Sequence, residues 1–151
     1  MKNVRHAIYR DLPELARIKQ TVRGESDNPD SAMFCAELRY LTAFLDEHQS
    51  VFVWTVDGIP TAFCTVRERN KKPFCGYAYI KDLYVLPERQ GRGIGKKLLT
   101  HALAKMREKG FSHAVLECAE DNTRARRFYE RFGFTRTDGG LGGYITYVID
   151  L

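Results

Sequence analysis

Between Tyr77 and Met106 the apolar pattern changes from strand-like to helical across a glycine-rich loop, and that change fixes the local architecture. The run YAYIKDLYVLP, residues 77–87, is rich in aromatic and branched residues and reads as a strand. Arg89-Gln90-Gly91-Arg92-Gly93-Ile94-Gly95-Lys96-Lys97 follows at once, with glycine at every second position from 91 to 95. Leu98, Leu99, Ala102, Leu103 and Met106 then recur at helical spacing, and Gly110 closes the helix. A strand that runs through such a loop into a helix N-terminus is an anion-binding arrangement. Loop N–H groups converge, glycine lets the backbone approach closely, and the helix end adds about half a positive charge. Arg92, Lys96 and Lys97 stand where they add charge-assisted contacts to a phosphate.

The flanking sequence supplies the other elements. Val4, Ala7 and Ile8 fall in a short opening strand, and Asp11-Leu12-Pro13-Glu14 reads as a helix start, with Asp11 as N-cap and Glu14 as its capping-box partner. Leu12, Leu15, Ile18 and Val22 carry that helix to about Arg23. After the polar loop GESDNPDS, a second helix starts near Ser31 with Phe34, Leu38, Leu41 and Leu45 on one face. VFVWTVDG and PTAFCTVRER form a hairpin turning at Asp57-Gly58, and the polar break NKKP precedes the run at 77–87. HAVLECA is a further strand. Asn122 or Asp121 caps a fourth helix that ends at Gly133, and two short strands flank TDGGLGG. The order β-α-α-β-β-β-α-β-α-β-β predicts an α/β (α+β) fold. Its mixed central sheet has about seven strands, with helices on both faces, in a single domain over residues 1–151.

Composition narrows the function classes. No apolar run approaches the ~18 residues a bilayer span needs, and the N-terminal stretch offers no signal-peptide core, so the expectation is a cytoplasmic protein away from membranes. Cys35, Cys64, Cys75 and Cys118 show no C-x-x-C spacing and no histidine cluster, which predicts no metal site. With 24 Lys and Arg against 19 Asp and Glu the net charge is +5, too small and too dispersed to favour a nucleic-acid partner.

Two familiar phosphate loops fail to match. A Walker loop needs G-x-x-x-x-G-K-[ST], but Gln90 stands five before Gly95 and Lys97 follows Lys96. A dinucleotide fingerprint needs G-x-G-x-x-G in the first βαβ unit, whereas Gly91, Gly93 and Gly95 lack the third spacing and come late. What fits is Gln90-x-x-Gly93-x-Gly95 after a strand ending in V-x-P. A second block, Asn122-x-x-Ala125-x-x-Phe128-Tyr129-x-x-x-Gly133-Phe134, lies downstream. On both blocks, and on the element order over essentially the whole chain, the sequence resembles the GNAT superfamily of N-acetyltransferases.

The resemblance implies acetyl-coenzyme A (acetyl-CoA) as co-substrate and a V-shaped splay between two parallel strands, residues 77–87 and HAVLECA. It places the pyrophosphate on the amides of Gln90, Gly91, Arg92, Gly93, Ile94, Gly95 and Lys96. The pantetheine arm would pair with backbone groups of Leu83, Tyr84 and Val85, as in strand addition, and Asn122 would meet the donor from the other side. Acetyl transfer to an amine needs a base, an oxyanion donor and an acid for the departing thiolate. A main-chain N–H at Leu83 or Val85 suits the oxyanion. Tyr129 matches the family's acid, a phenol of reference pKa ~10 that is protonated at neutral pH. Its alternative is a core aromatic beside Phe128 and Phe132. Glu117, in Leu116-Glu117-Cys118, resembles the glutamate of GNAT enzymes that acetylate protein N-termini and draw the proton through water. It could equally be an ion-paired strand carboxylate.

Asp82 is the rival base, but Lys81 stands where polyamine-acetylating relatives carry glutamate. Cys118 has no histidine near it in sequence to make it a nucleophile. Family architecture puts the acceptor near GESDNPDS, acidic at Glu25, Asp27 and Asp30, and near TDGGLGG, a loop able to move over substrate or a floppy hairpin. Phe34 and Tyr40 line either that pocket or the core. The leading reading is an N-acetyltransferase acting on a small-molecule or peptide amine, with homodimerisation as an option many relatives take. The alternatives are a noncatalytic acyl-CoA sensor or interaction module, and an RNA-binding domain.

Overall fold

The structure, a computed structural model, describes residues 3–69, 76–137 and 140–151. The break Asn70 to Pro73, Cys75, and Asp138-Gly139 of the last glycine loop lie outside the described residues. The expected order is found: β1 (Val4–His6), α1 (Leu12–Val22), α2 (Ala32–Asp46), β2 (Ser50–Val56), β3 (Ile59–Arg69), β4 (Tyr77–Val85), α3 (Ile94–Glu108), β5 (His113–Ala119), α4 (Thr123–Phe132), β6 (Thr135–Thr137) and β7 (Tyr144–Asp150). Single 3-10 turns occupy Tyr9–Asp11 and Pro87–Arg89. The strands form a mixed seven-stranded sheet in the order β1-β2-β3-β4-β5-β7-β6. The chain divides into two compact units, one of Met1–Arg67 with Asp82–Ala102, the other of Glu68–Lys81 with Leu103–Leu151.

In the first unit β1, β2 and β3 pair antiparallel, and Asp57 and Gly58 turn the β2–β3 hairpin with φ 52° and 78°. Positive φ at both central residues matches the twist of the flanking strands. β2 is buried almost throughout because its alternate residues are covered on both faces. Val51 and Val53 join Phe63 in one core with Leu12, Leu15 and Ile18 of α1 and Phe34, Leu41 and Phe44 of α2. Burying each such side chain contributes about 1.5–3 kcal/mol. Phe52 and Trp54 face the other way. There the Phe52 ring meets His101 of α3 at 5.2 Å, and the Lys97 ammonium lies 5.8 Å over Trp54. Helices therefore cover both faces, as expected. Ser31 caps α2, its Oγ accepting from the Phe34 N–H at 3.1 Å.

Asp11 departs from expectation. It is already helical (φ −74°, ψ −25°) and gives α1 no side-chain cap. Its carboxylate serves the preceding turn, accepting from the Ile8 N–H at 2.8 Å and from Arg5 at 2.7 and 2.9 Å. Glu14, released from the capping box, accepts from Arg17 Nε at 2.9 Å. A carboxylate prefers a charged partner to a lone amide, and the 3-10 turn brings Arg5 within reach.

In the second unit the first half of β4 pairs parallel with β5, from Tyr77–His113 to Ile80–Leu116. The ladder stops there, while β4 continues to Val85. β5 pairs along its whole length with β7, and β6 borders β7. Asn122, not Asp121, caps α4: its Oδ1 accepts from the Ala125 N–H at 3.2 Å. Gly133 ends the helix at φ 121°, and the Phe134 amide turns back to the Tyr129 carbonyl at 3.0 Å.

Candidate active site

The glycine loop grows out of the end of β4. The Gln90 side chain reaches back so that its Nε2 donates to the Val85 carbonyl at 3.0 Å. The Leu86 N–H donates to the Thr61 carbonyl at 3.0 Å and fixes the exit of the strand. Gly91 and Gly93 adopt φ 76° and 79°, in the left-handed region, and a Cβ at either would meet nothing within 4 Å. Their constraint is therefore backbone conformation in an open setting. Ile94 opens α3 with its side chain buried, so only its amide is offered to a ligand. The Lys97 N–H bonds back to the Gly93 carbonyl at 3.0 Å. The first-turn amides ahead of it, Ile94 to Lys96, have no intrahelical acceptor by helix geometry. Gly91, Arg92, Gly93, Lys96 and Lys97 are all exposed, and Gly95 is half-buried inside the first turn. The result is a positive helix end, free amides and three bases on one short stretch.

Leu83, Tyr84 and Val85 are half-buried at the end of β4. Asp82 beside them is buried and fully engaged. Lys19 Nζ lies 3.0 Å from its Oδ1, and Tyr40 Oη and Thr65 Oγ1 donate to its Oδ2 at 2.9 and 2.5 Å. Sequence reasoning missed Lys19, Glu37 and Thr65, which come from three other elements and leave no local signature. Tyr40, left open between pocket and core, belongs to this cluster, and Phe34 belongs to the core. In GESDNPDS, Glu25 is paired with Arg23 at 3.0 Å and the turn is closed by the Asp30 N–H on Asn28 Oδ1, also at 3.0 Å. Its acidic character is thus partly neutralised within the chain.

The second unit carries the remaining predicted residues. Glu117 is exposed on β5, and burial, then the neighbouring Glu117 carboxylate, push the pKa of the Tyr79 hydroxyl up to about 12. Tyr79 was not foreseen from the sequence. Tyr129 is half-buried on α4, its ring centroid 5.2 Å from Phe128, 5.7 Å from Phe134 and 6.4 Å from Tyr147. Tyr147 stands opposite Leu116, so strand alternation puts this aromatic group on one face of β5 and Glu117 on the other. Asn122 is exposed at the opening of α4. Burial pushes the Cys118 thiol up, which opposes a thiolate at neutral pH. In TDGGLGG, a Cβ on Gly140 would fall 2.1 Å from the Tyr144 carbonyl, and the Glu120 N–H holds the Gly143 carbonyl at 2.8 Å. Its described part is a tied hairpin. Among the described residues no group of three or more His, Cys, Asp and Glu could hold a metal, and no helix is long and apolar enough to cross a membrane.

The acetyltransferase (GNAT) family matches residues 9–134. The chain belongs to the GNAT family. This GNAT chain is 29% identical over 142 residues to the 5-NmdU N-acetyltransferase of Pseudomonas phage PaMx11, covering 93% of this chain and 91% of the relative. It is 31% identical over 130 residues to the mycothiol acetyltransferase of Geodermatophilus obscurus, covering 82% of this chain but 41% of that longer relative. In fold it resembles the PaiA N-acetyltransferase of Thermoplasma acidophilum, solved in complex with coenzyme A, with a TM-score of 0.75 at 21% identity and 98% of each chain covered.

Proposed function

We propose that the chain transfers acetyl from acetyl-CoA directly to a primary amine, on a small molecule or a peptide, with residues 1–151 acting as one catalytic domain. The observation that carries this reading is the glycine loop at the start of α3. It offers free first-turn amides, left-handed glycines in open surroundings, and three exposed bases. That set suits a pyrophosphate. The coenzyme A complex of the PaiA relative and the acetyltransferase names of the others support the donor.

In this reading the amides of Gln90 to Lys96 hold the pyrophosphate, and main-chain groups of Leu83 to Val85 align the arm that carries the thioester. Asn122 contributes from the start of α4. A main-chain N–H at Leu83 or Val85 donates to the thioester carbonyl oxygen. Glu117, through a water and with the Tyr79 hydroxyl beside its carboxylate, takes the proton from the amine. Tyr129 gives its phenolic proton to the sulfur as the C–S bond breaks and the C–N bond forms. The relatives' names specify unlike acceptors, so the proposal stops at the primary amine.

A thiol-release assay tests it, run with acetyl-CoA against amino acids, polyamines, aminoglycosides and N-terminal peptides. Turnover on one class is expected, with Tyr129→Phe reducing it on the order of a hundredfold and Glu117→Gln on the order of tenfold. Coenzyme A binding without turnover on any amine would favour a sensor, and absence of binding would remove the proposal.

A further inference from the structure

We infer that Lys19, far from the glycine loop in sequence, is a positioning residue that sets the course of the last residues of β4. The inference rests on the donor reading, because those residues supply the backbone groups that meet the donor there.

Beyond Ile80 the strand has left the β5 ladder, so one edge of its backbone is no longer held by pairing. Side-chain contacts take over that task. Asp82 and Tyr84 are two apart and so share a face. Both meet Lys19, whose Nζ is 3.0 Å from Asp82 Oδ1 and 5.8 Å from the Tyr84 ring centroid. Tyr40 and Thr65 fix the other carboxylate oxygen of Asp82. The Tyr84 ring lies 5.8 Å from Phe63. The ammonium is held in turn by Glu37 Oε1 at 2.8 Å and by the Tyr40 ring at 4.5 Å. One charge thus joins α1, α2 and two side chains of the unladdered stretch of β4.

The cation persists at working pH. Burial lowers the Lys19 pKa, but Asp82 and Glu37 outweigh it and hold the group above the ordinary lysine value. A packed apolar cluster would fill the same space with comparable stability, yet it fixes proximity and not direction. The two hydrogen bonds at Asp82 Oδ2, with the Lys19 ion pair anchoring Oδ1, fix the rotation of the strand, and hence where the Leu83 and Val85 amides point. Asp82, committed to two hydrogen-bond donors and the Lys19 ammonium, is thereby less suited to act as the amine's base.

The test is calorimetric titration with coenzyme A on wild type, Lys19→Met, the pair Lys19→Met with Asp82→Asn, and Tyr40→Phe, each with its thermal unfolding curve. Lys19→Met is expected to bind on the order of tenfold more weakly than wild type. Tyr40→Phe removes one donor without stranding a charge and should bind about threefold more weakly, with Tm lowered by only about 5 °C. The double variant should recover Tm more than it recovers affinity, since charge balance returns but direction does not. A merely structural role would move Tm and affinity back together. Wild-type affinity in folded Lys19→Met or in Tyr40→Phe would overturn the inference, and Tyr40→Phe decides alone if Lys19→Met does not fold. Failure of wild type itself to bind would instead overturn the donor reading, and this inference with it.

Discussion

The glycine loop and the Lys19 cluster lie in the same compact unit and handle charge in opposite ways. In the loop, Arg92, Lys96 and Lys97 are exposed at a helix end whose first-turn amides lack intrahelical acceptors. In the cluster, Lys19 and Asp82 are both buried, at 7% and 4% exposure, and each is satisfied by named partners. The loop turns its bases and its first-turn amides outward. A closed ion pair completes itself and spends its interactions on orientation. Charge on the loop should therefore govern affinity with little effect on stability, and charge in the cluster should govern both.

The sharpest way to break that contrast is Lys19→Met. Stranding buried carboxylates costs about 3–5 kcal/mol, which for a chain of this length lowers Tm on the order of 10 °C. Chemical denaturation measures it, and a loss under 1 kcal/mol would mean that the cluster is more hydrated than its burial implies. Next in size is Gly93→Ala. At φ 79° a Cβ has space but the wrong backbone, at about 1–2 kcal/mol. The loop relaxes to escape that strain, so coenzyme A binding should weaken on the order of tenfold. Unchanged affinity would show that the loop amides are not the donor's anchor.

Smaller still, Lys96→Ala should weaken coenzyme A about threefold at low salt and hardly at all in 1 M salt, with Tm unchanged. A fall in Tm instead would move Lys96 to the structural side of the comparison. The last effect is one of pH. Lys19 has a raised folded pKa, so its contribution is fully present below the unfolded value of about 10.4 and is lost as pH rises through the folded one. The stability gap between wild type and Lys19→Met should thus be constant through neutral pH and close only in strong alkali. A gap already closing near pH 8 would mean that the ammonium is not held by its carboxylates.

The same two regions show what a sequence displays. Gly91 and Gly93 announce themselves because left-handed backbone is a local demand that glycine meets at fixed spacing. Lys19 sits among Leu15, Ile18 and Val22 on α1 and reads as a solvent-facing residue, because Glu37, Tyr40 and Asp82 reach it only through the tertiary fold. Element order was legible throughout, since period, turn residues and caps are local signals. Asp11 was misread because an aspartate between two helical turns can cap the one ahead or accept from the N–H that opens the one behind. Tyr79 was not legible beside Glu117, for strand pairing decides that neighbour.

The most direct test of the central claim is competition at the glycine loop. Wild type would be titrated with coenzyme A in the absence and presence of inorganic pyrophosphate, with Gly93→Ala alongside. One saturable site, weakened by pyrophosphate and by the substitution, is the predicted result. Coenzyme A binding indifferent to both, or no binding by the wild type, would contradict it.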